Sequence, residues 1–328
     1  MAQRFFYHSF PRPRTGEDPI AKGLAILKCF RTFGLVLGTE VVLWKQPTAG
    51  TPREIRLVQP RVCFTELGEA ELPGHADRFG PFALEFEISQ LRRIGALPVI
   101  YTPQQLATDP GYSAIAATIV AQTHDAKYAI DQLANLHATI QQVRAGPHLV
   151  PKGCPVNLQN TDDNGNVVST STIPIEHAEA MLSYLAYRNA PLALMSAVLG
   201  SVSHLFYPTD DQIHDEELAY YRQREWRVLA YLQKNGAPLA RALTPAEQTA
   251  LLAVDQRFWA TQLTDGKRTF SRVDETRTID TLEGKPVLSC VRRVLVPKAA
   301  LKGAREMFSD AGSPPVARAP RHPWWRSF

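Results

Sequence analysis

Over roughly the first hundred residues, apolar and polar positions alternate in short runs broken by Gly and Pro, and from Tyr112 onward they recur at spacings of three and four. Alternation is the period of a half-buried strand, and three-four spacing is that of an amphipathic helix. Arg4 to Ser9 (RFFYHS) predicts a first strand, ended by Pro11 and Pro13. Asp18 is a good N-cap, Pro19 suits the first helical position, Ile20, Leu24 and Leu27 keep helical spacing, and Gly34 can end the run. A helix over Asp18 to Phe33 follows. Val36 to Trp44, Ile55 to Thr65 and Phe82 to Ile88 read as extended, and Leu97 to Tyr101 reads as a short strand in which Pro98 suits only the start.

The long Ala- and Leu-rich segments Ala114 to Arg144 and Glu176 to Leu205 predict helices. Between them, Val156 to Ile173 contains Asp162-Asp163-Asn164-Gly165, which suits the turn of a hairpin; the further oxygen ligands of a calcium loop are missing. Extended character returns around Arg224 to Leu229. Thr244, Pro245 and Glu247 form a capping box that starts a helix running to about Leu263, and Val287 to Pro297 reads as a last apolar strand. The expected fold is α+β: a mixed or mainly antiparallel sheet in one domain over residues 1–303, with a helical insertion at about 112–216. Residues 304–328 read as a flexible, basic, Pro-rich tail ending in Trp324 and Trp325, which could anchor a partner.

Composition narrows the classes. A 45% hydrophobic and 21% charged chain has the balance of a globular protein, and no run of eighteen apolar residues is present. The N-terminus has no apolar signal region, so no membrane partner and a cytoplasmic location are expected. The formal charge of +4 comes mostly from Arg318, Arg321 and Arg326, which leaves the body near neutral and makes nucleic acid an improbable partner for it. Cys29, Cys63, Cys154 and Cys290 are far apart and read as reduced thiols in or near the core. No metal is expected, because none of the nine histidines lies three to five residues from another. The acids Asp210-Asp211 and Asp215-Glu216-Glu217 read as a solvated helix start.

Three segments stand together in order: Phe6-Tyr7-His8-Ser9; Val62-Cys63-Phe64-Thr65-Glu66 followed by His75 and Phe79-Gly80; and Arg224-Glu225-Trp226-Arg227. With Gly95 to Tyr101 (GALPVIY), this order resembles the AbiGi-type proteins of bacterial abortive phage resistance, over about Arg4 to Thr102 and Leu218 to Leu232. The chain departs from that pattern in having a basic Arg222-Gln223-Arg224 where acidic residues often precede the Glu-Trp-Arg. The resemblance implies a phage-defence role, with a cognate toxin or other defence protein as partner. More distantly, a His on a first strand, a Thr on a middle strand and a Glu on a late strand resembles the ADP-ribosyltransferase arrangement, which implies a cleft holding NAD as substrate.

That arrangement would use specific chemistry. Cleaving the nicotinamide–ribose bond passes through an oxocarbenium-like state, which a carboxylate near the ribose stabilises. Glu225 is the catalytic candidate. His8 and Thr65 would hold the ribose, Arg227 would meet a phosphate, Tyr7 or Tyr101 would stack on a ring, and His75 would enter the cleft or cap its own turn. Each has a plainer reading: His8 as a core imidazole bonded to backbone, Thr65 as a strand-edge residue, Trp226 as a core anchor on the opposite face, and Glu225 with Arg227 as a structural ion pair. The enzyme class is therefore NAD-dependent ADP-ribosyl transfer or NAD hydrolysis. Its rival is a non-catalytic antitoxin or sensor that binds a partner protein.

Overall fold

The computed structural model describes residues 4–46, 48, 51–103, 110–145, 153–161, 166–186, 198–200, 202–203, 205–209, 224–230, 233–234 and 237–320. The expected turn at 162–165, the acids at 210–217 and the two tail tryptophans lie outside them. Residues 1–118 with 204–328 form one compact unit and residues 119–203 a second, so the insertion expected at about 112–216 is shorter and forms a unit of its own.

The larger unit is built on a ten-stranded, mostly antiparallel sheet. Its centre is β1 (Arg4–Phe10), flanked by β3 (Arg53–Gly68) and β4 (Phe82–Phe86). On β3 follow β2 (Leu35–Gln46) and, more briefly, β5 (Leu97–Pro98) through a later strand. A short parallel ribbon pairs β6 (Ile100–Pro103) with a strand at Phe206–Thr209. One face of the sheet carries the main core, which includes Phe6, Phe64, Phe82, Leu84, Phe86 and Val228. Each large side chain removed from water there contributes about 1.5–3 kcal/mol.

Helix α1 (Pro19–Phe33) lies on that face. The Asp18 carboxylate accepts the Ile20 amide at 2.8 Å, which caps the helix as expected from sequence. Gly23 is required by close approach: a Cβ there would enter the Phe82 ring. Gly34, at φ 87°, ends the helix with its amide donated to the Phe30 carbonyl, in a backbone region that other residues enter only with strain.

Helix α2 (Leu72–Phe79) follows β3. Ile88 does not extend the strand before it. Instead it opens α3 (Ile88–Arg93), because Glu87 leaves the sheet in extended geometry and Leu91 turns into the core. In the second unit, α4 (Pro110–Ala145) arrives from the larger unit, and the hairpin β7 (Pro155–Thr161) with β8 (Val167–Pro174) precedes α5 (Ile175–Ala186). Its core is Ile140, Ile175, Ala178 and Leu182. The hairpin agrees with the sequence expectation.

Besides short two-stranded ribbons, the later strands are β9 (Phe206–Thr209), β10 (Glu225–Leu229), β11 (Arg241–Ala242), β12 (Arg277–Ile279), β13 (Val291–Val296) and β14 (Val316–Arg318). Three expectations change here. The helix from Thr244 stops at Val254 as α6 (Pro245–Val254), because Asp255 turns extended and its carboxylate accepts the Phe258 amide to start α7 (Gln256–Trp259); Leu263 lies in a short strand, Gln262–Thr264. Residues 287–290 form a 3₁₀ turn, so the strand begins at Val291. Finally, residues 304–320 of the expected flexible tail carry regular structure and packed side chains. They complete α8 (Leu301–Met307), bury Ala304 and Phe308, and add β14 to β13 in parallel. A parallel edge strand is held by its backbone and needs few large side chains, so an Ala- and Pro-rich composition does not exclude it.

Candidate functional site

Strand β3 pairs on both sides at one residue. Thr65 lies opposite Tyr7 of β1 and also opposite Glu225 of β10, which takes over the edge that β2 leaves at Arg61. Across β1, Tyr7 faces Glu85 of β4, and Glu85 faces Arg293 of β13. Directly opposed residues share a face, so Glu225, Thr65, Tyr7, Glu85 and Arg293 form one polar row across the sheet. Cys63, Arg61 and Gln59 continue along β3 on the same face, with Arg227 opposite Cys63.

This row brings together part of the sequence-predicted constellation. Tyr7, Thr65, Glu225 and Arg227 share the face, and Arg227 Nε donates to Glu225 Oε1 at 2.6 Å. Tyr101, from β6, donates its hydroxyl to the other carboxylate oxygen. Burial alone would raise the Glu225 pKa. The Arg227 guanidinium, with the hydrogen bonds from Arg227, Cys63 and Tyr101, outweighs it and holds the carboxyl below its ordinary range. Burial, followed by the Glu225 charge, pushes the Cys63 thiol up to about 12 and raises the Tyr101 hydroxyl as well.

His8 is not part of it. As the neighbour of Tyr7 on a strand it points to the opposite face, where its ring packs against Phe10, Phe30 and Phe64. Its Nδ1 sits 2.9 Å from the Cys63 carbonyl, which β1 leaves unpaired as it turns toward Pro11. Although part of its surface remains accessible, the three phenyl rings desolvate it and lower its pKa. The expectation of one cleft shared by His8, Thr65 and Glu225 is therefore corrected: alternation along β1 separates His8 from the other two. His75 is also elsewhere, stacked on Phe79 within α2 at 4.4 Å between centroids, with its pKa lowered to about 4 by burial and by the nearby His8 and Arg78. Trp226 faces the core beside Phe6, as its plainer reading anticipated.

Sequence reasoning missed Gln59, Arg61, Tyr207 and Glu85. Arg61 and Arg227 both lie against the Tyr207 ring of β9, with guanidinium carbons 4.9 and 4.3 Å from its centroid. Arg61 also donates to Gln59 Oε1 at 2.6 Å and to Glu40. Glu85, fully buried, is held by Arg293 at 2.8 Å and by Arg292. The available signal was parity: polar Gln59, Arg61 and Thr65 alternate with apolar Val58, Val62 and Phe64 along β3.

Among the described residues, no group of three or more His, Cys, Asp or Glu side chains could hold a metal ion. No helix among them is long and apolar enough to cross a membrane. The sheet and helices define an α+β protein with a buried, charged row on one sheet face. No family model, curated protein or solved structure matches the chain.

Proposed function

We propose that this chain is a non-catalytic binding protein, the antitoxin or sensor member of a phage-defence pair. The defence setting rests on the resemblance of the Phe6–Ser9, Val62–Glu66 and Arg224–Arg227 segments to the AbiGi-type proteins. The non-catalytic reading is supported by one observation: Glu225, largely buried, already accepts from three side chains, Arg227 and Tyr101 on its two oxygens and the Cys63 thiol beside them. A carboxylate that must stabilise an oxocarbenium-like state needs a free lone pair facing the ribose. Here the acid orients a guanidinium instead. The NAD-cleaving alternative keeps one supporting feature, the direct pairing of Thr65 with Glu225, and it has lost His8.

Glu225→Gln separates the two. As an architectural residue, its replacement strands the buried Arg227 charge and costs about 3–5 kcal/mol of stability. As a catalytic residue, its replacement abolishes NAD consumption and leaves folding intact. The expected result is no NAD consumption by the wild-type protein, no toxicity when it is expressed alone, and a lowered denaturant midpoint for the variant. NAD turnover by wild type that disappears in a well-folded variant would restore the enzyme reading.

A further inference from the structure

Among the described residues, several buried N–H donors on the polar face have no acceptor. Arg227, 3% exposed, uses Nε on Glu225 and leaves Nη1 without a partner. Arg61, 7% exposed, uses Nη1 on Gln59 and Nη2 on Glu40 and leaves Nε without one. Gln59 is fully buried, accepts from Arg61 through Oε1, and leaves Nε2 unpartnered. Orphaned buried N–H groups are rare because the cost of desolvating them is not recovered. Here they cluster on adjacent residues of one sheet face and beside one tyrosine ring.

What would satisfy them is a group with several lone pairs and no donor of its own. Neutral amides and hydroxyls bring donors as well as acceptors; an oxyanion brings acceptors alone, and pairs with guanidinium in charge-assisted bonds. The charge distribution agrees. Glu225 neutralises Arg227 from within the face, whereas the acid on Arg61 is Glu40, whose side chain is 45% exposed and screened by water. The cationic excess therefore lies inward, around Arg61. Tyr207 supplies a flat wall against both guanidiniums, and the exposed Glu40 marks the solvent side of Arg61.

We propose that Arg61, Arg227 and Gln59 form a binding site for the oxyanion group of a small metabolite, either a phosphate or a carboxylate. The site does not depend on whether the chain pairs with a toxin.

The probes are orthophosphate and citrate, titrated separately into the full chain at constant ionic strength, with heat of binding and thermal midpoint as readouts. Saturable binding of one or both ions is expected, accompanied by a rise in midpoint. The ion that binds more tightly identifies the source of the oxyanion. Arg61→Lys keeps the charge but removes the Nε donor, and Gln59→Leu removes an uncharged donor; each should weaken binding about tenfold. Gln59→Leu lies outside the Glu225 ion pair, so it keeps the test informative if the arginine variant folds poorly. Binding of neither ion, or binding unchanged in a folded Gln59→Leu, would overturn the proposal.

Discussion

His75 is held neutral by its surroundings, and the consequence can be measured as a function of pH. Its pKa falls from 6.5 to about 4 on folding, so the unfolded chain binds the extra proton between those values. The contribution is fully present above pH 6.5 and is lost as pH falls toward 4. Denaturant midpoints followed over that range should decline for wild type and decline less for His75→Phe, which keeps the stacking on Phe79. Glu247, lowered from 4.5 to about 2 mainly by its hydrogen bond from Arg241 and against the effect of burial, loses its contribution as pH falls from 4.5 toward 2, mostly below the window in which His75 acts. An unchanged acid slope in His75→Phe would show that another group carries it. His8, also lowered, adds to the wild-type slope with the same sign.

At the scale of elements, α1 was legible in full because its signals are local: an N-cap, a proline at the first position, a spaced apolar stripe and a terminal glycine. Gly23 within it was not legible as a contact residue, since its reason is the Phe82 ring across the interface. Gly23→Val should cost about 1–3 kcal/mol through overpacking, measured by chemical denaturation. The strand order was legible only as membership of one sheet. Parity could have placed His8 opposite Tyr7, but which face carried the row depended on long-range register that no local pattern records. Strand β14 was invisible for a related reason: its stabilisation is backbone pairing with β13. Deleting 312–328 should accordingly lower the melting temperature by several degrees, since Leu295, fully buried, would lose its neighbours Ala317 and Ala319. An unchanged melt would mean that β14 contributes nothing.

For the whole molecule, the division into two units predicts that residues 119–203 can be excised. Their removal breaks no strand of the main sheet. The connection from β6 to β9 must include residues 104–118 and a linker to residue 204, because the two strands are parallel and a tight turn cannot join them. With a flexible linker of adequate length, the remainder should still unfold cooperatively, as judged by a single transition in circular dichroism. The sheet order has a consequence for synthesis. While the chain emerges from the ribosome, β1 to β4 can pair with one another early, since they all lie within the first 86 residues. Their outer edges then wait: β4 for β13, β2 for β12, and the upper half of β3 for β10. Each of those partners is made more than a hundred residues later. The nascent sheet thus spends most of translation with unpaired backbone along both flanks, the condition in which a strand recruits the wrong neighbour. Slowed elongation or loss of a ribosome-associated chaperone should lower the soluble yield of this protein more than its final stability would suggest.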